Sequence, residues 1–69
     1  MARATLGNHL KSLRTQAGLT QADLAERVGV SRKTINTVEN GVFTPSATLA
    51  LQLARALGVP VEALFFLQE

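Results

Sequence analysis

Between Thr20 and Gly41, in TQADLAERVGVSRKTINTVENG, two helix starts and two helix stops stand so close together that few arrangements can satisfy them all. Thr20 is a good N-cap, because its side-chain oxygen can accept from the free N–H groups of a first turn. Asp23, three residues on, makes an acidic version of the capping box. A helix beginning at Gln21 then carries Leu24, Ala25 and Val28 at helical spacing as its buried stripe. Gly29 follows the last periodic residue as the stop, where left-handed backbone costs glycine little. Only Val30 separates it from Ser31, which caps a second helix running to about Asn40 and ended by Gly41. Two helices joined by a turn of about three or four residues that contains glycine form a helix-turn-helix.

The second helix divides cleanly into two faces. Ile35 and Val38 point one way, while Lys33, Asn36, Thr37 and Asn40 follow the i, i+3, i+4, i+7 series on the other, with Arg32 flanking them. A solvated surface would look much the same, since most helices have a polar side. Two details speak for more. Arg32 and Lys33 occupy the first turn, where the helix dipole disfavours cations by roughly 0.3–1 kcal/mol each, and such breaches of a local rule tend to mark function. The exposed side chains also suit base edges: Arg and Lys donate to guanine, Asn can pair twice with adenine, and the Thr methyl can meet thymine. The face therefore points to DNA.

Sixty-nine residues make one domain, 1–69, close to the lower size at which a single core holds without staples. The chain contains no cysteine, which excludes disulfides and thiolate metal sites, so dimerisation is the expected source of extra stability. No apolar run approaches the ~18 residues of a membrane span, and no long apolar segment resembles a signal peptide. The expected location is the cytoplasm. The net charge of +2 is modest but unevenly placed. Arg3, Lys11, Arg14, Arg27, Arg32 and Lys33 face only Asp23, Glu26 and Glu39 before residue 42; beyond it Arg55 stands against Glu62 and Glu69. The basic end is the helix-turn-helix end, as phosphate binding by one side of the domain requires.

The remaining chain reads as scaffold. Leu6, Leu10, Leu13 and Ala17 predict a first helix that stops at Gly18. Pro45 ends the loop after Gly41, and Ser46 caps ATLALQLARAL, a helix apolar nearly all round and so expected at the centre of the core. Gly58 ends it, and a short fifth helix from near Pro60 to about Phe65 leaves Phe66 to Glu69 as an extended tail. Phe65, Phe66 and Leu67 are more apolar surface than a chain end usually carries. They either fold back onto their own core or form a symmetric dimer contact, and the dimer is the favoured expectation.

The set LRTQAGLTQADLAERVGVSRKTINTVENG, then Pro45-Ser46 before an Ala/Leu-rich helix, then ALGVPVEALF, resembles the short stand-alone Xre-type regulators, whose helix-turn-helix is shared with phage Cro and repressor proteins. Within that family the chain is similar in length and aromatic tail to the cytolysin repressor subgroup. The resemblance implies an all-α, five-helix repressor-like domain that binds an inverted-repeat operator in double-stranded DNA as a homodimer and acts as a transcriptional repressor. Helix 3 would lie in the major groove. Arg32, Lys33 and Thr37 match base-reading positions, with Asn36 and Thr34 as flanking candidates. Gln21 and Asn40, with Thr20 and Ser31, match backbone-phosphate positions, and phosphate contacts position while base contacts specify. The resemblance also pairs Arg14 with Glu39. Glu39 needs a cation on physical grounds, because it sits in the last turn of helix 3, where the dipole disfavours an anion, and turns toward the core edge. Val42 and Thr44 depart from the family, which often places cations or Asn there, and Pro60 replaces the usual cap of helix 5.

Other function classes have less to stand on. The single histidine, His9, lies on the flank of helix 1, and no acid/base pair or glycine-rich phosphate loop supports an enzyme. No metal, cofactor or small-molecule ligand is expected. The stronger rival is an adaptor or antitoxin-like module that uses this fold to hold a protein, with DNA binding secondary. Such a module should have lost the polar, cation-tipped face that Arg32, Lys33, Asn36, Thr37 and Asn40 retain.

Overall fold

Three serine and threonine caps and the glycines that answer them set the helix boundaries in the computed structural model, which describes residues 5–68. The order is β1 (Thr5–Asn8), α1 (Leu10–Gln16), α2 (Gln21–Val28), α3 (Arg32–Glu39), α4 (Ala47–Leu57), α5 (Val61–Leu64) and β2 (Phe65–Gln68). Arg3 and Glu69 lie outside the described residues. Both halves of the Thr20–Asp23 capping box are made, at 3.0 and 2.9 Å, and Gly29 closes α2 in the left-handed conformation at φ 74°. Ser31 caps α3 through the Thr34 N–H and Ser46 caps α4 through the Leu49 N–H.

The core is formed by Leu10, Leu24, Ala25, Ile35, Val38, Leu49, Leu53, Ala54, Leu64 and Phe65. α2 is the hub, packing on both α3 and α4. α4 supplies more of this core than any other helix, though not from every side. It buries the stripe Leu49, Leu53 and Ala54, whereas Leu51 on its outer side is exposed, because five short helices supply no element to cover that side.

The larger departure lies at the start. Leu6 belongs to a strand, not to the first helix, and its i, i+4 relation to Leu10 is a coincidence of spacing. β1 pairs antiparallel with β2, setting Leu6 opposite Leu67, Gly7 opposite Phe66 and Asn8 opposite Phe65. Asn8 makes the change from strand to helix: its Oδ1 accepts from the N–H of Leu10, the first residue of α1, at 3.0 Å, while its Nδ2 donates to the Val38 carbonyl, also at 3.0 Å. Gly7 leaves room for the Phe66 ring: a Cβ there would overlap the ring edge, and the ring lies across the glycine and stacks on His9 with ring centres 4.7 Å apart. Helix 5 ends at Leu64 and the expected extended tail is β2, so the five-helix fold carries a two-stranded ribbon.

Candidate nucleic-acid interface

The end of α3 is anchored by a buried charge. Arg14 of α1 donates from Nε to Glu39 Oε2 at 2.6 Å and from Nη2 to Oε1 at 3.3 Å, with both side chains more than nine-tenths buried. Two further bonds enlarge the pair into a knot: Arg14 Nη1 donates to the Leu19 carbonyl at 2.8 Å, and Gln21 Nε2 donates to Glu39 Oε1 at 3.0 Å. Every bond is charge-assisted, so the knot fixes α1, the α1–α2 turn, the first residue of α2 and the last turn of α3 as one unit. The Gln21 bond is a feature that sequence reasoning missed, since it joins residues 18 apart on different helices.

At the start of α2, the Asp23 N–H is taken by Thr20, whereas the N–H groups of Gln21 and Ala22 have no partner inside the helix. Thr20, Gln21 and Ala22 line a shallow hollow of about 400 Å³ together with Arg14 and Arg32. The free N–H groups of Gln21 and Ala22 at this hollow are donors of the kind that hold a phosphate at a helix start. The Thr20 backbone N–H, and then its hydroxyl, hold the Asp23 carboxyl below its ordinary range, with Arg27 adding to the effect.

The outer face of α3 is polar and open. Arg32, Lys33 and Asn36 are exposed, Thr34 and Thr37 half-buried, and neither cation has an ion-pair partner among the described residues. Several neighbours are already committed. Ser31 and Thr34 hydroxyls bond each other at 2.9 Å, the Thr37 hydroxyl donates back to the Thr34 carbonyl at 3.0 Å, and Asn40 Nδ2 donates to Asn36 Oδ1 at 3.2 Å. Asn40 is the C-cap of α3, not its last helical residue. Arg32 and Lys33 therefore keep their donors free, whereas Asn36 and Asn40 present one amide group each as a linked pair.

The three tail residues separate. Phe65 belongs to its own core, Phe66 is half-buried on Gly7 and His9, and Leu67 is 69% exposed. Folding back, one of the two outcomes weighed for this segment, holds for Phe65 and in part for Phe66, whereas Leu67 stays in solvent. His9 is exposed, as expected, but precedes α1 as its cap residue. Val42 and Phe43, the apolar pair directly after Gly41, lie beside Lys33, Thr34 and Thr37, a placement that helical periodicity could not give.

Residues 10–64 match the helix-turn-helix family. Among curated proteins the chain is 44% identical over 62 residues to an uncharacterised HTH-type transcriptional regulator of Methanocaldococcus jannaschii, covering 90% of this chain and 94% of that one. It is 49% identical over 61 residues to another such regulator, from Methanothermobacter thermautotrophicus, covering 87% and 88%. Among solved structures the restriction-modification controller protein C.AhdI of Aeromonas hydrophila superimposes with a TM-score of 0.75 at 37% identity, over 78% of this chain and 82% of that one. With its two capped helices and its open cationic face, the chain belongs to the helix-turn-helix family of Xre- and Cro-like transcriptional regulators, DNA-binding proteins and not enzymes.

Proposed function

We propose that the protein binds an inverted-repeat operator as a homodimer, with α3 in the major groove, and represses transcription by occupying the promoter. The observation that carries this reading is the free pair Arg32 and Lys33 at the head of a helix whose far end is locked by the Glu39 knot. A base-reading helix needs both unpaired donors at its tip and a fixed axis. Arg32, Lys33 and Thr37 read bases, with Asn36 and Thr34 as flanking contacts. Gln21, Thr20, Ser31 and Asn40 bind phosphates: Gln21 and Thr20 around the hollow at the start of α2, Asn40 beyond the opposite end of α3.

The dimer forms through the ribbon. A lone pair of strands is marginal on its own, and the Leu6–Leu67 pair leaves an apolar group in solvent at its open end. Family membership supports a place in the cytoplasm, on the nucleoid, and no described helix is long and apolar enough to cross a membrane.

The test is a mobility shift on specific and random DNA across a series of salt concentrations. Lys33→Ala and Arg32→Ala are expected to relax discrimination at one base position by about 1–3 kcal/mol, while Gln21→Ala weakens all sequences alike. Equal losses on specific and random DNA for the Arg32 and Lys33 variants would refute their assignment as readers. Absence of any specific shift at low salt would favour the adaptor.

A further inference from the structure

Beside the polar face of α3 stands an apolar pair with no core to serve. Val42 is 78% exposed and Phe43 47% exposed. Both backbone N–H groups donate to the Thr37 carbonyl, at 3.0 and 3.2 Å, which folds the loop back along the helix instead of letting it run outward. The two side chains thereby close one wall of a groove of about 300 Å³ whose other wall is Ser31, Lys33, Thr34 and Thr37. Because the Thr37 hydroxyl is turned to the Thr34 carbonyl, its methyl is the group left for the groove.

We propose that this groove receives the C5-methyl of a thymine, making Val42 and Phe43 specificity-determining residues. The inference rests on the reading of α3 as the major-groove helix. The groove shares Lys33 and Thr37 with the proposed reading face, so whatever fills it lies against DNA when DNA is bound. Among the edges that unmodified bases offer in the major groove, the thymine methyl is the apolar group; the rest are donors and acceptors.

The groove could instead pack on deoxyribose, which is also apolar and carries no sequence information, and the two sources separate in one experiment. An operator is selected from a random DNA pool, and each of its thymines is then replaced singly by deoxyuridine, which removes the methyl and leaves every hydrogen bond. The wild-type protein is expected to lose about fourfold in affinity at one thymine per half-site, the factor that burial of one methyl gives. Val42→Ala and Phe43→Ala bind the thymine operator more weakly and show a reduced response to that replacement. Val42→Ala keeps its melting temperature, since the side chain touches no core. Wild-type binding indifferent to every thymine-to-uracil replacement overturns the proposal and leaves sugar packing or a protein partner. An undiminished methyl effect in both variants also overturns it. A pool that yields no enriched sequence overturns the reading of α3 as well, so the two failures are distinguishable.

Discussion

The base of α3 and the β1–β2 ribbon both join distant parts of the chain, yet by opposite means. At the base of α3, one buried carboxylate gathers three donor bonds from two side chains, and a fourth bond ties the same guanidinium to the α1–α2 turn. At the ribbon, four residue pairs, one aromatic stack and a backbone bond from His9 to the Leu64 carbonyl hold two strands whose outer end is open. Under the proposed function the two regions have different tasks. The tilt of a reading helix must be fixed inside each protomer before DNA arrives, and a buried, geometrically exacting knot does that. The distance between two reading helices can be set by a peripheral element that a second copy completes.

Breaking the knot is expected to have the largest effect on stability. Arg14→Ala leaves Glu39 desolvated without its cation and should cost about 3–5 kcal/mol, read as a fall in melting temperature. An unchanged melting temperature would show that the knot does not hold the fold. At the ribbon, Leu67→Asp places a charge on a side chain that is already exposed, so the protomer keeps its fold and the proposed dimer is lost. Affinity for a full inverted repeat should drop by about 100-fold as the two half-sites uncouple, while affinity for one half-site is retained. Sedimentation with half-site binding checks this, and a Leu67→Asp protein that still dimerises would move the interface elsewhere.

The smallest expected effect concerns the capping box. Asp23 is held below its ordinary value of 3.8 in the folded chain, so its contribution is complete above that pH and fades as pH falls through the lower folded value. The difference in melting temperature between the wild type and Asp23→Asn should therefore be present at neutral pH and shrink below about pH 4. A difference constant down to pH 2 would mean that the charge of Asp23 is not what the cap uses.

How far these features were legible in the sequence follows from how local they are. Caps and stops act within one helical turn, so Thr20, Asp23, Ser31, Ser46 and Gly29 announce α2, α3 and α4 with little help from the rest of the chain. β1 was not legible, because its partner lies some sixty residues away and because Leu6 falls by chance into register with Leu10. The exposure of Leu51 on α4 has a related cause: an all-round apolar helix shows what could be buried, whereas the number of neighbours decides what is. At the site, the exposed row Arg32, Lys33 and Asn36 follows from helical geometry alone. The bond from Gln21 to Glu39 and the groove under Val42 and Phe43 depend on how separate segments fold back, which periodicity does not encode.

In the proposed complex two copies of α3, each fixed by its own Glu39 knot, read one symmetric site. Selection of bound sequences from a random DNA pool tests it most directly, since half-site, spacing and symmetry are returned together. An inverted repeat is expected, with half-sites centred one helical turn, about 34 Å, apart. Enrichment of a single asymmetric half-site, or of no sequence at all, would contradict it.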